Sequence, residues 1–212
     1  MAGKKPEFRL LLITDRKKCK DLKQVILSAC KAGVKAVQLR EKSANGGLSS
    51  VELLSLSKEL RRITKANSSN LIINDRLDIC LLVKADGVHS PEKGFLPSQI
   101  KKYNSKLLAG KSVHSVENAI KAERNGYDYI LAGPVFRTAS KVKYGKPLGL
   151  KVLNEICNAV NIPVYAVGGI NPERAKKCIS QGAYGVAVIS EIMSAKSVKQ
   201  KVKEFEKALG GL

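Results

Sequence analysis

The chain has 212 residues, 44% of them apolar, enough to bury a core as one domain spanning residues 1–212. Its net charge of +20 is spread over many short Lys and Arg clusters, such as Lys17-Lys18, Lys101-Lys102, Lys176-Lys177 and Lys199 to Lys203. A nucleic-acid binder would gather that charge on one tail or helix and add stacking aromatics, which are only 5% here with no Trp, so no nucleic acid is expected as a partner.

The charge reads instead as a Lys-rich surface, with small phosphorylated substrates as the partners that would use it. Five isolated cysteines (Cys19, Cys30, Cys80, Cys157, Cys178) show no C-x-x-C and no metal-ligand spacing, as expected of reduced thiols in the cytoplasm. The apolar run Phe8 to Ile13 is only strand length. No stretch approaches the ~20 apolar residues of a membrane span, so no membrane partner is expected. A homo-oligomer is left open.

In chain order, short apolar runs alternate with amphipathic helices. A strand is predicted over Arg9 to Ile13, then a helix over Lys20 to Lys31 with Leu22, Val25, Ile26, Ala29 and Cys30 on one face. Val34 to Leu39 is the second strand and Val51 to Thr64 its helix, opened by a capping serine at Ser49 or Ser50. Leu71 to Ile73 and Asp78 to Val83 form the third pair, and Gly87-Val88 with Pro97 to Tyr103 the fourth. Leu107 to Ala109 and Val116 to Arg124 are the fifth, and Tyr129 to Ala132 and Leu150 to Val160 the sixth. Pro163 to Val167 leads to a helix over Pro172 to Ile179, with Pro at its first position after Asn171. Gly185 to Ile189 and Val198 to Leu209 complete the series. Eight strand–helix units of about 25 residues, with no linker between them, point to a closed (β/α)8 TIM barrel. The doubly wound sheet is the alternative, but the G-x-G-x-x-G of a dinucleotide site is absent.

Function should then lie where the strands end at their C-terminal side. The second strand emerges as Gln38-Leu39-Arg40-Glu41-Lys42. Arg40 and Lys42, two apart on an extended chain, point the same way. They either close on a pyrophosphate, one as a planar fork and the other as a compact charge, or are two solvated cations. The third strand ends in Asn74-Asp75-Arg76, where Asp75 is either a ligand for Mg2+, which takes one or two carboxylates plus substrate oxygens, or a helix cap. The sixth runs into a loop bearing Arg137, Thr138, Ser140 and Lys141. Gly168-Gly169 after the seventh strand and Ser190 after the eighth mark the usual phosphate site of such barrels, or else a turn that merely needs glycine. The sequence thus offers two anion sites. His89 and His114 follow the fourth and fifth strands, and neither is assigned a catalytic role.

Taken together, these motifs resemble the thiamine phosphate synthase/TenI family. They run from Ile13-Thr14-Asp15-Arg16 and Gln38 to Lys42 through Ile73 to Arg76, Ala85 to His89, Gly133-Pro134-Val135-Phe136 and Gly168-Gly169-Ile170 to Val186 to Ser190. The resemblance implies a (β/α)8 barrel that couples hydroxymethylpyrimidine pyrophosphate to a thiazole phosphate with Mg2+ as cofactor, giving thiamine phosphate and pyrophosphate. It implies that Gln38, Arg40, Lys42 and Asn74 grip the pyrimidine pyrophosphate, with Asp75 on the metal and Ser112 near the departing pyrophosphate. Thr138, Ser140 and Lys141 resemble the family's T-x-T-K loop, and Gly169, Ile189 and Ser190 its thiazole phosphate site. The chain departs from the synthase pattern after His89, where Ser90-Pro91-Glu92-Lys93 replaces G-Q-x-D and its second metal carboxylate. That loop looks more like the TenI branch, a thiazole tautomerase, yet Pro134 stands where that branch carries its histidine. A non-catalytic thiazole or thiamine phosphate binder is the remaining alternative.

Overall fold

Runs of Leu, Ile, Val and Ala that are buried on both faces make parallel strands, because only a sheet covered by helices hides both sides. The computed structural model describes residues 5–41, 47–138 and 146–211. Its strands are β1 (Leu10–Ile13), β2 (Ala36–Leu39), β3 (Asn70–Asn74), β4 (Gly87–Ser90), β5 (Leu108–Val113), β6 (Tyr129–Ala132), β7 (Val164–Val167) and β8 (Gly185–Val188). Each pairs in parallel with the next, and β8 closes on β1 through Leu10↔Val186 and Leu12↔Val188, so the barrel predicted from the alternation is observed.

The helices among the described residues are α1 (Leu22–Lys31), α2 (Ser50–Ala66), α3 (Leu77–Leu82), α4 (Pro97–Lys101), α5 (Val116–Arg124), α6 (Gly149–Ala159), α7 (Pro172–Ser180), α8 (Ser190–Met193) and α9 (Val198–Leu209). Local chemistry sets their starts. The Asp21, Ser115, Asn171 and Ser197 side chains each accept an amide of the first turn. Ser49 and Glu52 form a reciprocal capping box on α2.

The strand period of two divides the core. Leu10, Leu12, Val37, Leu39, Leu71, Ile73 and Val88 face outward against the helices. Leu11, Ile13, Ala36, Ile72, Leu108, Tyr129, Leu131, Tyr165 and Ala187 fill the barrel, with Phe8 packed below. Interior positions on one strand are two residues apart, which fixes the side chains that reach the open mouth.

Three strands are longer than the sequence suggests, β3 by Asn70 and Asn74 at its ends and two others by more polar stretches. His89 and Ser90 belong to β4, and Gly110 to Val113 belong to β5, paired as His89↔Gly110, Ser90↔Lys111 and Ser112↔Leu131. Polar residues of low strand propensity are carried there by neighbours on both sides. The turn α8 is an addition, α4 is shorter than predicted, and the five cysteines are free thiols. No helix among the described residues is long and apolar enough to cross a membrane.

Candidate active site

The interior parity brings four polar side chains to the mouth from adjacent strands. Gln38 follows Ala36 by two, Asn74 follows Ile72, His89 follows Gly87, and Ser112 lies two beyond Gly110. Gln38 is 1% exposed and its amide nitrogen has no hydrogen-bond partner among the described residues, a buried donor on the interior face of β2. Arg40 lies two residues further out. Its backbone N–H donates to Thr14 Oγ1 at 3.0 Å, which ties the end of β2 to the end of β1.

Arg40 is half-buried there and near enough for its charge to act on His89. The imidazole, held down first by burial and then by the Arg40 and Lys111 cations, has its pKa lowered to about 3 and is neutral at ordinary pH. His89 Nε2 lies 2.9 Å from Ser112 Oγ. Glu41 is already engaged, its carboxylate meeting Arg16 Nε at 2.9 Å.

The structure removes one of the two readings of Asp75, the cap. The N-cap position of α3 is Arg76, with no side-chain capping bond, so Asp75 is not a cap. Its backbone is left-handed (φ +60°) and its N–H donates to the His89 carbonyl at 2.9 Å, which fixes it at the mouth beside Asn74. Partial burial raises its carboxyl pKa, opposed by Arg76 and Lys111, yet Arg76 pairs with Asp78 instead. No cluster of three or more His, Cys, Asp or Glu side chains suited to a metal occurs among the described residues. The donor set fits a cation that takes one carboxylate and fills its shell with substrate oxygens, as Mg2+ does, and not one caged by protein alone.

The loop after β4, where the second carboxylate of the synthase pattern is missing, is tied down from outside the barrel. Lys111 faces outward on β5, and its ammonium donates to the Pro91 and Glu92 carbonyls at 2.9 and 2.6 Å. Burial lowers its pKa, with Glu92 opposing. Ser90 Oγ and Tyr127 Oη both donate to the Phe95 carbonyl. Glu92 itself is exposed. Sequence reasoning missed Lys111 as the strap, since its partners lie 19 and 20 residues away and are backbone atoms.

Across the mouth, Gly168 and Gly169 follow β7 with φ of +98° and +65°. A Cβ on Gly169 would lie 2.9 Å from the Arg137 carbonyl oxygen, so the β6 and β7 loops approach through backbone and the turn itself requires glycine. Arg174, on the first turn of α7, was not foreseen. Its guanidinium donates to the Gly169 carbonyl at 2.7 Å and lies 4.8 Å from the centre of the Phe136 ring. Ile189 precedes α8, and Ser190 is its exposed first residue. Thr138 is half-buried at the edge of the described loop. Lys42, Ser140 and Lys141 lie outside the described residues. His114 binds the Gly133 carbonyl through Nδ1, a structural tie between β5 and the β6 loop.

Comparison with known proteins places the chain in a family. The profile of the family described as thiamine monophosphate synthase matches residues 10–192. The chain is 48% identical over 183 residues to a provisionally named thiamine-phosphate synthase 2 of Aquifex aeolicus, covering 86% of this chain and 96% of that one. It is 40% identical over 203 residues to the thiamine-phosphate synthase of Clostridium acetobutylicum, covering 94% of each. The solved thiamine phosphate pyrophosphorylase of Pyrococcus furiosus superposes with a TM-score of 0.85 at 34% identity, covering 96% of both chains. By sequence and by fold, the chain belongs to the thiamine monophosphate synthase family.

Proposed function

We propose that the chain is a thiamine-phosphate synthase. It joins hydroxymethylpyrimidine pyrophosphate to a thiazole phosphate and releases pyrophosphate. The observation that carries this reading is the row of polar groups on consecutive strands β2 to β5, together with the Gly168-Gly169 turn after β7 and the Ile189-Ser190 end of β8. One side suits a pyrophosphate and the other a single phosphate, with the reacting carbon and nitrogen between them.

Departure of pyrophosphate from the pyrimidine methylene leaves a cationic carbon and a highly charged leaving group. Arg40, with Lys42 and Lys141 carried over from the family resemblance, would neutralise that charge as it develops, and Ser112 would donate a hydrogen bond to it. Gln38 and Asn74 would orient the pyrimidine end. Asp75 would hold Mg2+, which supplies further positive charge to the pyrophosphate oxygens when bound. Gly169, Ile189 and Ser190 would seat the thiazole phosphate so that the ring nitrogen meets the electron-poor carbon; Thr138 and Ser140 belong to the loop between the two pockets. Free thiols go with a cytoplasmic place for the reaction. Pro134 offers no acid or base, so nothing at that position favours a tautomerase.

The test is turnover of both substrates with and without Mg2+, following thiamine phosphate and pyrophosphate together. Metal-dependent, equimolar release is expected, with loss of pyrophosphate affinity in Arg40→Ala. Absence of product from the parent chain, or unchanged pyrophosphate affinity in Arg40→Ala, would overturn the reading.

A further inference from the structure

His89 and Ser112 form a hydrogen-bonded pair, the imidazole Nε2 lying 2.9 Å from the hydroxyl oxygen. Elsewhere such a pair signals a serine nucleophile activated by a histidine base, and that chemistry requires a third group to orient the base. Here no third group occurs among the described residues. His89 is 2% exposed, and its Nδ1 is buried with no partner among the described residues. No carboxylate supports it. The ring is set instead by packing: it lies 5.8 Å from Tyr129, tilted by 33°, and Tyr129 itself fills the space left by Gly110.

The orphan nitrogen fixes the direction of the hydrogen bond. A neutral imidazole carries one proton. If that proton sat on Nδ1, a buried N–H would have no acceptor, the rarer and costlier kind of orphan. An imidazolium would bury the same unpaired N–H together with a charge. With the proton on Nε2, the orphan is only an acceptor, and His89 donates to Ser112. One lone pair of the serine oxygen is then occupied, so its own proton must turn to another acceptor. Ser112 is half-exposed and interior-facing at the mouth, and His89 is its hydrogen-bond partner among the described residues.

We propose that His89 is a positioning residue that acts through Ser112, donating from Nε2 so that the serine hydroxyl is aimed as a donor at an anionic phosphate oxygen in the mouth. The pair is thereby a built hydrogen-bond donor and not a nucleophile. This role rests on the synthase reading, in which that oxygen belongs to the departing pyrophosphate.

The chain has two histidines, so side-chain 15N NMR of the full-length protein, with a His114→Gln variant for assignment, reads the tautomer of His89 directly. A proton on Nε2 is expected; a proton on Nδ1, or an imidazolium, would overturn the proposal whether or not the chain makes thiamine phosphate. Turnover and pyrophosphate binding then test the coupling. Ser112→Ala should lower kcat by about a hundredfold, the scale of one lost transition-state donor. His89→Ala should lower it by about tenfold or more. The double variant should be no worse than Ser112→Ala alone, because one residue acts through the other. His89→Gln, whose amide nitrogen reaches the Nε2 position, should recover part of the loss, whereas His89→Asn is too short to do so. Additive losses, or equal damage from Gln and Ala, would assign His89 a merely structural part. Should His89→Ala fail to fold, the tautomer measured in the parent chain still decides. Should the parent chain make no product, the synthase reading fails while the tautomer result stands.

Discussion

Gly110 should not tolerate even a methyl group, and the cost can be worked from its surroundings. A Cβ at this position would lie 2.2 Å from Tyr129 Cζ, 2.4 Å from its hydroxyl oxygen and 2.6 Å from Cε1. Carbon atoms in contact sit about 3.5–4.0 Å apart, so the ring would have to retreat by more than about 1 Å. It has nowhere to go. Tyr129 is fully buried, with its ring centroid 6.3 Å from Phe8, 5.6 Å from Tyr165 and 5.8 Å from His89. Overpacking of this kind costs about 1–3 kcal/mol, and an aromatic obstacle wedged among three others places Gly110→Ala near about 3 kcal/mol. For a domain of this size that is a fall in Tm of about 6–12 °C, readable by circular dichroism, with the urea m-value unchanged. A double-mutant cycle isolates the cause. In a Tyr129→Ala background the obstacle is gone, so adding the alanine should cost little and the coupling should exceed about 1.5 kcal/mol. Tyr129→Phe should give no relief, since Cζ remains. A Tm within about 2 °C of the parent, or an equal loss in the Tyr129→Ala background, would refute the reasoning.

Asp75→Asn keeps a residue that accepts the left-handed backbone and removes only the carboxylate; by calorimetry, pyrophosphate affinity in Mg2+ should fall about tenfold or more and affinity in EDTA should not change. Equal losses in both buffers would remove the metal from the account. Asp128, 1% exposed, accepts the Ala109 amide and the Lys101 ammonium, each at 2.8 Å, so Asp128→Ala should cost about 1–3 kcal/mol in urea unfolding, chiefly by leaving the buried Ala109 amide unpaired, since Lys101 is part-exposed. A loss below about 1 kcal/mol would show that the pair is solvated instead. Hydrogen bonds from the Ser49 side chain and backbone hold the Glu52 carboxyl below its ordinary 4.5. That stabilisation is present above the ordinary value and lost as pH falls through the lowered one. The stability gap between the parent and Ser49→Ala, followed by urea titration, should therefore narrow on acidification; a gap that widens would contradict the capping box.

Much of the fold was legible because its signals are local. Runs such as Leu10 to Ile13 and Leu71 to Ile73 are buried on both faces, and capping residues such as Asn171 lie next to the helices they start. What stayed hidden depends on partners remote in sequence. His89-Ser90 and Gly110 to Val113 carry little strand character of their own and extend their strands only because the barrel offers neighbours on both sides. Lys111 cannot be told from any other surface lysine until Pro91 and Glu92 are brought beneath it, nor Arg174 from a helix cation until Gly169 turns its carbonyl inward. The two histidines show the limit most clearly. Each follows a strand as a lone imidazole, but His114 faces a backbone carbonyl and His89 a serine hydroxyl, a difference set by parity and by the ring of Tyr129.

Asp75 is the residue for which sequence alone left two readings level, and the structure removes one of them, the cap. A helix cap needs extended backbone and an amide of the first turn to bind; Asp75 has left-handed backbone and α3 begins without a side-chain cap. An aspartate kept for stability would pair with the arginine beside it, yet Arg76 forks onto Asp78 through two nitrogens at 2.8 and 2.6 Å. A solvated carboxylate would keep its ordinary affinity for protons, whereas partial burial raises that of Asp75 despite two cations within reach. Backbone strain, a declined ion pair and desolvation all count against stability, and all three lie at the strand end where Gln38, Asn74 and Ser112 converge. Such a combination persists where a ligand offsets it, and under the synthase reading proposed above a cation shared with a pyrophosphate would supply that compensation.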